Sequence, residues 1–307
     1  MLKSPWLGGA AMLIVLAVTF LVAPRLYSNQ TLLFTMMTFI ALAQGLNLLY
    51  GFTGYLPFGY VGFFGAGAYG TSLLVVHAHF AAIPAVIGGG VAALAAALIL
   101  SPLLRLSGAY FSIANLATSQ ILYLIVGNPA LTKITGGPYG LNIQAIFDPW
   151  ASYLAMLAIM LLACAVAIYF RNSRFGLALR AMTQDYVSAQ MSGINIVLSR
   201  LIVWLASAAV AGLAGGAYAW NISVYYPEAV FGLDISVFAI VFALFGGVGT
   251  VIGPVLGAVV LYVLYSAIGI SVPQYFELIY GFLIVLLVLF LPDGVLSLLK
   301  RRRIGAI

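Results

Sequence analysis

Residues 150–170 read WASYLAMLAIMLLACAVAIYF, twenty-one consecutive residues without a charge, and Arg171 follows at once. About 20 apolar residues let an α-helix cross the hydrocarbon of a bilayer, so the stretch is long enough to span one. Its apolar residues run continuously, rich in Leu and Ala, where a barrel strand would alternate in polarity. A helix satisfies its own backbone groups in hydrocarbon, so helix is the reading.

The rest of the chain repeats the pattern. Of its 307 residues 64% are hydrophobic and only 6% charged, whereas a soluble domain has about a quarter charged. Lipid must therefore be the solvent for most of it. Ten segments are predicted to span: Trp6–Ala23, Leu32–Tyr50, Phe58–Val76, Ala82–Leu104, Ala109–Gly127, Trp150–Phe170, Arg200–Ile222, Ile235–Phe245, Ile252–Ile270 and Tyr275–Leu291. The eighth is short and is expected to begin earlier. The first carries Lys3 ahead of an apolar run, as a signal peptide does, but Leu21 occupies position −3 before cleavage at Ala23, which favours an uncleaved span. The predicted fold class is all-α, a polytopic transmembrane helix bundle forming one membrane-spanning domain over residues 1–307.

Ten spans place both termini on one side, and the basic residues say which. Lys3, Arg105, Arg171, Arg174, Arg180, Arg200 and Lys300–Arg303 fall on one face, and only Arg25 and Lys133 on the other. By the positive-inside rule both termini are cytoplasmic. The terminal basic cluster reads as a membrane-surface anchor, and the dispersed remainder gives no nucleic-acid footprint. Trp6, Trp150, Trp204 and Trp220 lie near predicted span ends, as an interfacial belt would require.

The chemistry is sparse. A phosphate-binding loop needs Gly-x4-Gly-Lys-Ser/Thr, and none of Lys3, Lys133 and Lys300 has that setting, so ATP, if used, is bound elsewhere. Asp148, Asp185, Glu228, Asp234, Glu277 and Asp293 all fall in loops or at span ends, which argues against a carrier with a proton-relaying carboxylate in a span. His77 and His79 read as solvated loop histidines without a neighbouring carboxylate, so no metal site is expected. The single cysteine, Cys164, is expected as a packed thiol and excludes an intrachain disulfide. No catalytic constellation appears.

Uncharged polar residues do lie inside spans. Gln44 and Asn47 sit in the second; Ser112, Asn115 and Ser119 share one face of the fifth at i, i+3, i+7. Two readings stand: hydrogen bonds between helices, or the wall of a translocation pathway. Gly51 and Gly54 in one joint, and Gly246, Gly247, Gly249 and Gly253 in another, read as tight turns able to hinge. The outer loop, about residues 128–149, is turn-rich and could meet an external partner.

The cytoplasmic loop, about residues 171–199, has a helix pattern of its own. Asp185 is expected to cap a short helix whose Val187, Met191 and Ile194 form an apolar stripe, with Ser188 and Ala189 between. Gly193 supplies a left-handed stop and Asn195 caps the next span. Such a helix must lie on something, and the small central Ala189 suits a protein groove.

Several ordered motifs carry a resemblance. They are Gly45-Leu46-Asn47-Leu48 with Gly51 and Gly54; Phe63-Phe64-Gly65-x-Gly67-Ala68-Tyr69; and Gly108-x-Tyr110-Phe111-x-Ile113-Ala114. Then come Thr135-Gly136-Gly137-x-x-Gly140-Leu141, Phe175-Gly176-x-Ala178-Leu179-Arg180-Ala181 and Gly193-Ile194-Asn195. The strongest is Gly246-Gly247-x-Gly249-x3-Gly253-Pro254-x2-Gly257-Ala258. Together they resemble the permease subunits of branched-chain amino-acid ABC importers, the LivH/LivM family, LivM-type. The resemblance implies a second homologous permease, two ATP-binding subunits that hold ATP and Mg, an external solute-binding protein, and a place in the bacterial inner membrane. It also implies that Asp185–Asn195 is the helix that couples to an ATPase. The importer-wide pattern Glu-Ala-Ala-x3-Gly reads here Val187-Ser188-Ala189-x3-Gly193, without the Glu and one Ala. Branched-chain amino acids lead the substrate expectation, with amides, urea and aromatic acids beside them. The competing function is a stand-alone channel or facilitator for small neutral solutes; an intramembrane enzyme lacks any reactive cluster.

Overall fold

A computed structural model describes residues 5–27 and 29–271, with isolated positions 274, 281, 282 and 285 beyond. The helices are α1 (Pro5–Leu26), α2 (Gln30–Thr53), α3 (Val61–Ala78), α4 (Ala82–Ile99), α5 (Ala109–Val126) and α6 (Thr132–Thr135). They continue as α7 (Pro149–Asn172), α8 (Arg174–Gln184), α9 (Tyr186–Met191), α10 (Ile196–Ile222), α11 (Glu228–Phe231), α12 (Leu233–Gly246) and α13 (Ile252–Ser271). Among the described residues nine units are long and apolar enough to cross a membrane: α1 to α5, α7, α10, α11 with α12, and α13. The tenth predicted span, Tyr275–Leu291, and the Lys300–Arg303 tail fall outside the continuous described residues.

The bundle is built around α2. That helix is buried nearly all round, whereas α1 packs one face on α7, with Gly9 against Ile168 and the Phe20 carbonyl accepting from Tyr153 Oη at 2.7 Å, and exposes the rest. Its exposed apolar face must meet lipid or another chain. Helices α3, α4 and α10 pack closely because their facing residues are small. A Cβ added at Gly67 would land on the Gly212 carbonyl, and one at Gly212 on Ala93. Hydrocarbon offers no hydrophobic drive between helices, so such close approach, with its van der Waals gain, holds the trio together.

Two joints break the helical pattern. Helix α3 starts at Val61 rather than at the predicted Phe58, with residues 58–60 in a turn ahead of it. Residues 54–60 instead run back into the bundle. Tyr60 Oη donates to the Ser207 carbonyl at 2.9 Å, and Ser207 Oγ donates to the Gly45 carbonyl. Gly45 lies eight residues before the end of α2, about 12 Å at 1.5 Å per residue. The second joint, residues 247–251, separates α12 from α13. Seven residues at one joint and five at the other are therefore non-helical backbone inside the protein, where buried polar partners can satisfy them.

Other expectations move. The seventh span starts at Ile196, ahead of the predicted Arg200, so Ser199 and Arg200 are helical. The eighth does begin earlier, at Glu228, with a break at Gly232. Trp204 is no belt residue: it is fully buried and donates to the Ala97 carbonyl at 2.8 Å. Cys164 is fully buried, as a packed thiol should be. At the end of the bundle away from α8 and α9, Leu141–Asn142 pairs antiparallel with Val224–Tyr225, tying the 128–149 loop to the end of α10.

Candidate functional site

The two joints meet. A Cβ on Gly51 would press on the Gly249 backbone nitrogen, and one on Gly249 would touch the Gly51 carbonyl. Gly54 ends α2 in the left-handed region at φ +76°, and Gly247 and Gly249 are also at positive φ, while Gly51, Gly246 and Gly253 are not. The sequence treats all six as turn or hinge residues; the backbone demands glycine by conformation at three of them.

The intramembrane polar residues hold these joints. Asn47 Oδ1 accepts the Gly249 N–H at 2.8 Å, and its Nδ2 donates to the Thr250 carbonyl at 2.8 Å. Gln44 donates to the Val251 carbonyl and accepts weakly from Asn47. Across the bundle, Ser112 Oγ donates to the Leu56 carbonyl at 2.7 Å and Asn115 Oδ1 accepts the Gly59 N–H at 2.7 Å. Ser119 bonds within its own helix to the Leu116 carbonyl and packs on Gly62. All five are buried. The i, i+3, i+7 face of α5 thus lies against the 54–60 joint, and these are contacts between elements of one bundle.

The second candidate region is the α8–α9 pair. Ser173 caps α8 by accepting the Gly176 N–H. Asp185 caps α9, its Oδ1 accepting the Val187 and Ser188 N–H groups at 2.9 and 3.2 Å and its Oδ2 the Ser188 hydroxyl. The Ser188 hydroxyl, with these backbone donors, holds the Asp185 carboxyl below the usual range. Gly193 sits at φ +82°, Ile194 N–H donates to the Ala189 carbonyl, and Asn195 caps α10 through the Leu198 N–H at 3.0 Å.

The stripe is not as read from spacing. Val187 and Met191 are exposed at 62% and 85%, but Ala189 is buried at 4% in the chain's own core. Ala189 lies two residues from each, on the opposite face of the turn, so it seats α9 on this protein and leaves Val187 and Met191 pointing outward. Ile194 is only partly buried.

Sequence reasoning missed Arg200. Its guanidinium lies 4.7 Å from the centre of the Tyr55 ring and 5.5 Å from that of Tyr186, and its Nε is buried without a hydrogen-bond partner. Tyr186 opens α9 and Tyr55 opens the 54–60 joint, so one cation bridges the short helix and the re-entrant segment. Tyr55 in turn meets Phe111 edge-on, and Phe111 meets Trp204. The only signal was an arginine at a predicted span boundary, and the positive-inside rule had already accounted for it. Glu228 and Asp234, read as span-end acids, are exposed and line two open cavities at the α11–α12 break.

A model of the family described as branched-chain amino acid transport system / permease component matches residues 29–288. The chain is similar to the high-affinity branched-chain amino acid transport system permease protein LivM of Escherichia coli (strain K12), 29% identical, covering 94% of this chain and 74% of that one. It is similar to LivM of Salmonella typhimurium at 28% identity, covering 86% and 69%. A probable LivH permease of Methanocaldococcus jannaschii is 26% identical over 67% of this chain and 70% of its own. No solved structure matches.

Proposed function

The chain belongs to the family of branched-chain amino acid transport system permease components, and from that premise we propose that it is the membrane-spanning permease subunit of an ATP-binding-cassette importer in the bacterial inner membrane. Its cargo is a small polar solute, with branched-chain amino acids first. Its partners are a second homologous permease, two ATP-binding subunits that hold ATP and Mg, and an external solute-binding protein. In this reading the end bearing α8 and α9 is cytoplasmic and both termini share that side.

The observation that carries the reading is α9 itself: a six-residue helix capped at both ends, seated through Ala189 and presenting Val187 and Met191 outward. Exposed apolar side chains on a rigidly capped turn suit a protein groove. Arg200 then links that groove to the 54–60 joint, giving displacement of α9 a physical route into the bundle. Gln44, Asn47, Ser112, Asn115 and Ser119 border the two joints, so a pathway that opens by moving the joints would expose them. Co-purification tests the whole. ATP-binding subunits should accompany the chain, and uptake into proteoliposomes should require nucleotide. Uptake by the chain alone, without nucleotide, would return the stand-alone facilitator.

A further inference from the structure

Helices α4 and α7 both pack on α10 but scarcely on each other, and toward the 128–149 loop they leave a groove of about 650 Å³ between them. Ile83 and Ile87 of α4 form one rim, and Leu154 and Leu162 of α7 the other; all four are exposed. Between the rims Ala151, Ala155 and Ala158 make a trough, and the buried Trp220 of α10 is its floor. The Trp220 N–H donates to the Ile146 carbonyl at 2.6 Å, which fixes the ring and leaves no free hydrogen-bonding side chain in the lining. Among the described residues no charged side chain lines it.

Shape and depth together select the occupant. Along α7 the lining residues 151, 154, 155, 158 and 162 fall at i, i+3, i+4, i+7 and i+11, one straight line down the helix. From Ala151 to Leu162 is about 16 Å at 1.5 Å per residue, half of a hydrocarbon core about 30 Å thick. Helix α4 contributes only its first two turns, and the lining stops near the midpoint of α7. The mouth lies beside Trp150, an exposed aromatic at the start of α7, which marks the level of the membrane interface. A transmembrane helix of another chain needs contact through both leaflets. This groove runs from one interface to the membrane centre and ends there, which is the reach of a single fatty acyl chain. Lipid tails are as apolar as the rims, so no hydrophobic gain holds such an occupant. Dispersion contact on three sides does, and an open lipid-facing surface offers none of that enclosure.

We propose that the groove seats one acyl chain of a phospholipid from the leaflet nearest the 128–149 loop. The seat recognises the chain and not the headgroup, since its lining carries no charge. It follows from the packing of α4, α7 and α10 in a membrane and stands whatever the cargo.

Native mass spectrometry of the full chain, purified in detergent with the subunits it carries, counts the retained phospholipid. Ala158→Trp fills the trough from an exposed position, so it should lose one phospholipid per copy while assembly and melting temperature hold. Ile14→Trp, likewise exposed but on α1, should lose none. The same retention is expected whether phosphatidylethanolamine or phosphatidylglycerol is supplied. Photocapture identifies the occupant in place and needs no filled groove. With p-benzoylphenylalanine at Ile87, phospholipid should be captured in bilayers and still after delipidation into micelles. At Ile99, exposed at the other end of α4, capture should occur in bilayers alone. A captured peptide at Ile87, from this chain or another, would overturn the lipid seat. So would capture at Ile87 that vanishes on delipidation, or an unchanged phospholipid count in Ala158→Trp. Retention of phosphatidylglycerol alone would overturn recognition by the chain.

Discussion

Asn47 holds two consecutive residues of a segment some two hundred positions further along the chain, Gly249 through its N–H and Thr250 through its carbonyl. Asn47→Leu removes both bonds and leaves a half-buried donor and a half-buried acceptor unpaired, at about 1 kcal/mol for each such group. The purified transporter should lose several degrees of melting temperature, and Asn47→Ala should behave alike because the loss lies in the amide. A melting temperature unchanged in both would show that water replaces the amide. Gly193 is a different kind of residue. Nothing lies within 4 Å of a Cβ there, so its demand is conformational alone, from φ +82°. Gly193→Val should cost about 1–2 kcal/mol, and Gly193→Asn clearly less, since Asn tolerates the left-handed region. Equal losses in the two would refer the effect to an unseen contact.

Helix α9 is where the spacing argument and the fold diverge, and the divergence changes which variant tests docking. Ala189→Arg would force a charge into this protein's own core, so a loss of transport would say nothing of a partner. Met191→Arg is the cleaner probe. At 85% exposure it should leave folding within about 0.5 kcal/mol of the parent while weakening ATPase co-purification. Retention of full ATPase association by Met191→Arg and Val187→Asp together would remove the coupling assignment. The Asp185 cap adds a pH signature. Its carboxyl is depressed in the folded chain, so the cap's contribution is complete above the ordinary carboxylate value, about 3.9, and is lost as pH falls through the folded value. Amide exchange at Val187 and Ser188 should therefore quicken below about pH 4 beyond its intrinsic pH dependence, and Asp185→Asn should lack that transition. Arg200 ties the element to the bundle through Tyr186 and Tyr55. Arg200→Met keeps the stem and removes the charge, and should loosen α9 to proteolysis while the spans keep their helicity.

At the scale of the whole molecule the open question is sidedness, and single-cysteine labelling answers it once Cys164 is replaced. Cys164→Ala removes one buried sulfur, at about 1 kcal/mol. Met191→Cys should then resist an impermeant thiol reagent in intact cells, and Thr132→Cys should react; both positions are exposed, so reactivity reports the side. Ser199 is a poor probe, because it is buried at 7% and would resist from either side. Labelling of Met191→Cys from outside would invert the topology and the place proposed for the ATPases with it.

The membrane class, the existence and order of the nine described spans and the caps at Asp185, Gly193 and Asn195 were legible in the sequence, while several span starts were not. Each follows from local facts: a run of apolar residues as long as a bilayer is thick, a side chain beside its own backbone, a glycine at a stop. What the sequence could not decide is which way a side chain turns once helices from distant parts of the chain meet. Residues 54–57 read as a tight turn and 58–60 as the start of a span, and only the Tyr60 and Ser207 contacts show that all seven re-enter the bundle unwound. Asn115 and Asn47 read equally well as pathway or as glue until their partners at Gly59 and Gly249 are seen. Ala189 fell on the wrong side of its helix, Trp204 in the core and Arg200 between two rings for one reason: periodicity locates a face, and only tertiary packing says what that face touches.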